Sequence, residues 1–137
     1  MKTVKSILVS AVLILLVSVS AMAQSDAKVI AVINKADWCP VCQKNGERAM
    51  NAFMSNNKDM AIQFVANDVT NDVSKKKSAV ELEKLGLEKA VAENCNATGV
   101  AYFFNSKTKA LISQVSVAKP DQELATALTD AKKALKQ

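Results

Sequence analysis

Val29-Ile30-Ala31-Val32-Ile33 is a run of branched apolar residues, and after a short loop it is followed by Trp38-Cys39-Pro40-Val41-Cys42. The apolar run predicts a strand that is buried on both faces. Pro40 stands where the first residue of a helix is expected, because the missing N–H of proline is not needed there. This stretch therefore predicts a strand, a loop and a helix that begins beside two cysteines.

Outside this stretch, the pattern of apolar and polar residues predicts six further elements. The first helix repeats Met50, Phe53 and Met54 on one face and ends near Asn56-Asn57. A strand over 61–66, helices over 78–85 and 87–93, strands over 100–104 and 111–117, and a helix opened by Pro120 follow. Alternating strands and helices followed by an antiparallel pair predict an α/β sandwich, in which helices cover a mixed central sheet.

The spacing of Cys39 and Cys42 favours redox chemistry. Two cysteines separated by two residues at a helix start face the same way and can close a small ring. Cys39 is expected to lie against unsatisfied backbone N–H groups and the positive end of the helix dipole, which stabilise a thiolate. The thiolate is the form that attacks a disulfide. We therefore predict Cys39 and Cys42 as catalytic residues, with Pro40 fixing the turn and Trp38 shielding the sulfur.

On these residues the chain resembles the thioredoxin superfamily over nearly all of residues 24–137. The resemblance also rests on the buried strand, on Thr98-Gly99-Val100 before a later strand, and on the C-terminal helix. It implies a thioredoxin-like sandwich in which Cys39 is the exposed nucleophile and Cys42 the buried resolving thiol. It further implies a reaction cycle through a mixed disulfide with a partner protein.

Two positions depart from the superfamily pattern. Most members have a cis-proline where this chain has Ala101. A cis bond before a non-proline residue costs about 2.5–4 kcal/mol, so we expect a trans bond, a reshaped substrate edge and a more open approach to Cys39. Where classical thioredoxins have a buried acid, this chain has Ile33. The nearest alternative, Asp37, falls in the predicted loop and is expected to be solvated.

The first 23 residues have the features of a signal peptide. Lys2 and Lys5 precede an uncharged apolar run over 7–20, which ends at Ala21-Met22-Ala23, a pattern that signal peptidases cleave. The run is shorter than the ~20 residues that a membrane-spanning helix needs. We therefore expect a periplasmic or secreted protein with one domain over residues 24–137 and no stable membrane insertion after cleavage. In such a compartment a close cysteine pair can form a disulfide.

Alternative roles for the cysteines are less favoured but stay open. A zinc site needs two further ligands, and in a chain without histidine the third cysteine, Cys95, is the one good candidate. A structural disulfide that closes so short a loop would stabilise little. A binding module could hold a soft metal such as Cu(I) on Cys39 and Cys42, or could dock a partner. We interpret Cys95 as an inert buried thiol rather than a third redox group.

The composition restricts the expected partners. The net charge is +5, aromatic residues make up 4% of the chain, and the lysines are interleaved with acidic residues. This pattern does not favour nucleic-acid binding. The expected partners are therefore protein thiols or disulfides and an unidentified redox partner, and neither a dissociable cofactor nor a bound metal is expected.

Overall fold

The computed structural model describes residues 26–136, so the predicted signal peptide over 1–23 lies outside the described residues. The chain forms, in order, β1 (Val29–Lys35), α1 (Pro40–Ser55), β2 (Ile62–Asp68), α2 (Asp72–Lys84), α3 (Glu88–Asn94), β3 (Val100–Asn105), β4 (Leu111–Ser116) and α4 (Asp121–Ala134). No helix within the described range combines the length and the apolar character that a membrane span requires.

The four strands form one mixed sheet in the order β2-β1-β3-β4. β1 pairs in parallel with β2 and antiparallel with β3, and β3 pairs antiparallel with β4. Parallel neighbours need a crossover connection, which α1 supplies. Helices α1 and α4 pack on one face of the sheet, and α2 and α3 on the other. This arrangement confirms the predicted α/β sandwich, in which helices cover both faces of a mixed central sheet.

Phe53 anchors α1 on the sheet and fixes the orientation of the helix. Its side chain is fully buried, and its ring centroid lies 5.6 Å from that of Phe64 and 6.4 Å from that of Phe103. The predicted core face of α1 is wrong at Met54, which is 57% exposed. One helical step turns a side chain by about 100°, so Met54 points away from the sheet when Phe53 points into it. Ala49 and Ala52 complete the buried face instead.

Three boundaries differ most from the sequence-based prediction: the start of α2 and the ends of β1 and β2. Helix α2 begins at Asp72 rather than near residue 78, and the Asn71 side chain caps it by accepting a hydrogen bond of 2.9 Å from the Ser74 N–H. Strands β1 and β2 each continue for two polar residues, so that Lys35 lies beside Asp68 in the register. These polar strand ends lie next to the start of α1.

Candidate redox site at the start of helix α1

Cys39 is the N-cap residue of α1, and Pro40 is the first helical residue, as predicted. The Cys39 backbone is extended, with φ −79° and ψ 113°, and this conformation turns the side chain back over the first turn. Its Sγ accepts a hydrogen bond of 3.3 Å from the backbone N–H of Cys42. The sulfur therefore takes the place of the oxygen that usually caps a helix N-terminus.

This environment stabilises a thiolate on Cys39. Burial raises the pKa of Cys39, but hydrogen bonds from the Cys42 thiol, the Thr98 side chain and the backbone at Cys42 and Val41 outweigh it. The net result is a pKa below the usual value of a thiol. Hydrogen bonds to the charged form are the physical cause, since they favour that form over the neutral one.

The other two thiols shift in the opposite direction. Burial raises the pKa of Cys42 and the adjacent Cys39 sulfur raises it further, while hydrogen bonds with the backbone of Ala36 and Gly99 oppose the change. Burial alone raises the pKa of Cys95 to about 12. All three cysteines are free thiols in this structure. Of the three cysteines, Cys39 is therefore the one whose pKa is lowered.

The exposure of the pair contradicts the expectation taken from the superfamily. Cys39 is only 3% exposed, whereas Cys42 is partly exposed. Gly99 lies against the first sulfur, because a Cβ at that position would lie 3.7 Å from the Cys39 Sγ and 2.8 Å from Cγ1 of Val41. The Gly99 backbone therefore covers the first sulfur. It adopts φ +75°, a conformation that favours glycine.

Asn34 holds the segment that provides this cover, and no sequence pattern pointed to it. Its buried amide Nδ2 donates a hydrogen bond of 2.8 Å to the carbonyl oxygen of Ala97, and its Oδ1 accepts one of 2.8 Å from Asn67. Its own carbonyl oxygen accepts a hydrogen bond of 2.7 Å from the N–H of Gly99. On the other side, the Tyr102 hydroxyl accepts a hydrogen bond of 3.1 Å from the Ala97 N–H.

Trp38 lies on the outer side of the site. It is 59% exposed, and its indole N–H donates a hydrogen bond of 3.1 Å to the carbonyl oxygen of Thr70. The neighbouring Asp37 is exposed and donates its backbone N–H to the Thr70 hydroxyl at 2.9 Å. These contacts tie the loop before α1 to the segment after β2. The structure thus gives Trp38 a partner in that segment, and its shielding of the sulfur stays a prediction.

Ala101 does not leave an open edge beside the cysteines. Every peptide bond described between residues 26 and 136 is trans, including the bond before Ala101. Ala101 is fully buried in β3, with Ile33 of β1 on one side and Val115 of β4 on the other. The Gly99 carbonyl also accepts a hydrogen bond of 2.9 Å from the Val117 N–H. The prediction of a more open approach to Cys39 is therefore wrong, because the backbone of β3 at Ala101 is paired with β1 on one side and with β4 on the other.

A cavity of about 540 Å³ opens on the Cys42 side of the pair. Its wall is largely apolar and includes Ile33 of β1. Charged residues of both signs also line it, namely Lys35, Asp37 and Glu47. Gly46 of α1 belongs to the wall too, and a Cβ added to it would meet no atom within 4 Å.

Arg48 fixes the far wall of this cavity. Its guanidinium donates hydrogen bonds of 2.8 Å to the carbonyl oxygen of Val117 and 3.0 Å to that of Lys119, and it forms an ion pair with Asp121. Val117 lines the cavity. Arg48 therefore joins the helix that carries Cys42 to the loop between β4 and α4.

No protein-family model matches the chain, and no curated protein matches it either. Among solved structures it is similar to Trxlp from Edwardsiella tarda EIB202, with 17% identity over 81% of this chain and 91% of that one and a TM-score of 0.46. It is also similar to the oxidised thioredoxin from Plasmodium falciparum, with 16% identity over 80% and 85% and a TM-score of 0.47. A third similar structure is the Malassezia sympodialis thioredoxin Mala s 13, with 18% identity over 80% and 83% and a TM-score of 0.44.

Within residues 26–136, no group of three or more histidine, cysteine, aspartate or glutamate side chains is arranged to hold a metal ion. The site consists of two adjacent thiols whose pKa values move in opposite directions, at a helix N-terminus. Such a pair can take part in thiol–disulfide exchange with another thiol pair. One sulfur is available as the attacking thiolate, and the other is available as the thiol that resolves the mixed disulfide.

Proposed function

We propose that the chain is an exported thiol–disulfide oxidoreductase that acts on protein thiols through Cys39 and Cys42. The observation that carries the proposal is the difference between the two thiols. The pKa of Cys39 is lowered by hydrogen bonds at the start of α1, and the pKa of Cys42 is raised by burial and by its neighbour. A disulfide that closes a loop of four residues adds little stability, which disfavours a purely structural role for the pair. A structural role would also leave the pKa difference between the two thiols unexplained.

The asymmetry assigns an order to the steps. The Cys39 thiolate attacks one sulfur of a partner disulfide, and the other partner sulfur leaves as a thiolate that takes up a proton. Cys39 and the partner are then joined by a mixed disulfide, and the Cys39 charge that opposes ionisation of Cys42 is gone. Cys42 loses its proton and attacks Sγ of Cys39. This step releases the reduced partner and forms the Cys39–Cys42 disulfide, and the reverse sequence oxidises a partner dithiol.

Exposed apolar side chains next to Cys39 suit contact with a protein partner. Trp38 is 59% exposed and Val41 is 36% exposed, and they lie one residue before and two residues after Cys39 in the sequence. Exposed aromatic residues are enriched at protein interfaces. The low exposure of Cys39 itself favours the alternative of a binding module that keeps the fold without turnover. Capture of partners on single cysteines distinguishes the two functions.

The test uses single-cysteine variants in a Cys95→Ala background. Cys42→Ser removes the resolving thiol, so mixed disulfides on Cys39 should accumulate in the exported fraction. Cys39→Ser is the matched control and should capture far fewer. If neither variant forms adducts that a reductant releases, the oxidoreductase proposal is wrong and the binding module is favoured. The mass of the mature chain in the same fraction tests export, for which we expect cleavage after Ala23.

A further inference from the structure

The two cysteines differ in access as well as in acidity. Cys39 is 3% exposed beneath the Gly99 backbone, whereas Cys42 is partly exposed and lies on the wall of the 540 Å³ cavity. A reagent that fits this cavity meets the second sulfur rather than the first. The volume lies within the range of small-molecule sites.

The lining of the cavity indicates the kind of molecule that fits it. Most of the wall is apolar, and the charged groups are Lys35 together with Asp37 and Glu47. The ammonium group of Lys35 lies 3.6 Å from a carboxylate oxygen of Asp68, and it keeps hydrogen-bonding capacity for a ligand carboxylate, while a ligand ammonium group can pair with either acid. Glu47 and Asp37 are exposed, so they offer charge at the mouth of the cavity rather than within the apolar wall. A small zwitterionic thiol complements this pattern.

We propose, on the premise that Cys39 and Cys42 form the redox disulfide, that a small zwitterionic thiol enters this cavity and reduces that disulfide by attacking Cys42. The thiolate of the small molecule forms a bond to Sγ of Cys42, and the Cys39–Cys42 bond breaks. The bonding electrons leave with Cys39 as its thiolate. A second small thiol then attacks the sulfur of the bound small molecule, which gives a small-molecule disulfide and the Cys42 thiolate. Two protons taken up by the cysteines complete the two-electron reduction.

The leaving group favours the same direction of attack. The rate of thiol–disulfide exchange rises as the pKa of the departing thiol falls. Attack on Cys42 expels Cys39, whose pKa is lowered, whereas attack on Cys39 would expel Cys42, whose pKa is raised. Access and leaving-group acidity therefore both direct a small thiol to Cys42.

The experiment locates the adduct in the oxidised protein, with Cys95→Ala as the background. The oxidised chain is mixed with glutathione, quenched within seconds by acid and an alkylating reagent, and analysed by fragment mass spectrometry of the peptide that contains both cysteines. We expect glutathione on Cys42 and the alkyl group on Cys39. Glutathione on Cys39 would overturn this inference and leave the proposed function intact. Absence of a reducible Cys39–Cys42 disulfide would overturn the proposed function itself.

Filling the cavity supplies a second test. Gly46→Leu places a side chain in open space on the cavity wall, and it should slow reduction by glutathione by about tenfold, because exchange depends on access to the attacked sulfur. Asn51→Leu adds an apolar side chain at an exposed position of the same helix and should leave that rate unchanged. Equal rates for the two variants, with unaltered thermal unfolding, would show that small thiols do not use the cavity.

Discussion

The amide Nδ2 of Asn34 donates a hydrogen bond of 2.8 Å to the carbonyl oxygen of Ala97, from the end of a buried strand to the segment before β3. The same segment carries Thr98, which hydrogen-bonds to Cys39, and Gly99, whose backbone covers the Cys39 sulfur. A buried amide in β1 therefore positions two groups that act directly on the first cysteine.

Asn34→Ala should lower the free energy of unfolding by about 1–3 kcal/mol, since it leaves buried hydrogen-bonding groups without their partner. The groups affected are the carbonyl of Ala97 and the side chain of Asn67. Denaturant unfolding of the reduced chain measures the change. Asn96→Ala is the control, because Asn96 is exposed on the same segment and should change stability little. Equal stability of the two variants would contradict the role given to Asn34.

Thr98→Val should raise the pKa of Cys39, because it removes a hydroxyl that hydrogen-bonds to the sulfur while keeping a similar shape. The pH dependence of alkylation by iodoacetamide, followed on Cys39 by mass spectrometry, gives the pKa. We expect the midpoint to move to higher pH and the rate at neutral pH to fall. Thr129→Val, on the exposed face of α4, should leave the midpoint in place. A midpoint that is the same in all three chains would exclude Thr98 as a contributor.

Gly99→Ala should destabilise the chain by about 1–2 kcal/mol, the cost of a left-handed backbone for a residue with a Cβ. The new methyl group would also lie 2.8 Å from Cγ1 of Val41, so the first turn of α1 has to shift. Gly46→Ala is the matched comparison, since its Cβ meets nothing within 4 Å, and it should stabilise the helix by about 0.8–1 kcal/mol. Thermal unfolding of both variants measures the difference. Similar effects at both positions would contradict the described packing at Gly99.

Cys95 should make the chain less stable at alkaline pH. Burial raises its pKa from 9.0 to about 12 in the folded chain, so between these values the unfolded chain loses a proton that the folded chain keeps. The unfolded state then binds fewer protons, and the free energy of unfolding falls as pH rises. Relative to the unsubstituted chain, Cys95→Ala should gain stability steadily from about pH 9 to about pH 11. A constant difference between the two chains over that range would show that Cys95 titrates normally.

The parts of the fold that follow from apolar periodicity were predictable from the sequence. The strand at Val29-Ile30-Ala31-Val32-Ile33 and the helix start at Pro40 are where the pattern placed them. The first half of α2 was not predictable in this way, because its boundary depends on the Asn71 cap and most of its side chains are solvated. A single capping residue is a weak sequence signal for the start of a helix, and here a run of lysines without apolar periodicity follows it.

The cysteine pair was recognisable from spacing, but the surroundings that control it were not. Asn34 follows an apolar run and has the sequence character of a loop residue, yet it is buried within β1. Gly99, which is distant along the chain, covers Cys39. Its backbone conformation is one that no local sequence pattern predicts. The exposure of the two sulfurs was therefore expected in the wrong order, since burial depends on contacts between distant segments.

Redox equilibration of the chain over residues 24–137 tests the central claim most directly. The protein is brought to equilibrium in glutathione buffers of graded potential, the free thiols are trapped by alkylation, and the number and position of the trapped thiols are read by mass. We expect one reversible two-electron transition in which Cys39 and Cys42 oxidise together while Cys95 stays alkylated at every potential. The absence of a reversible transition, or a disulfide that includes Cys95, would contradict the account.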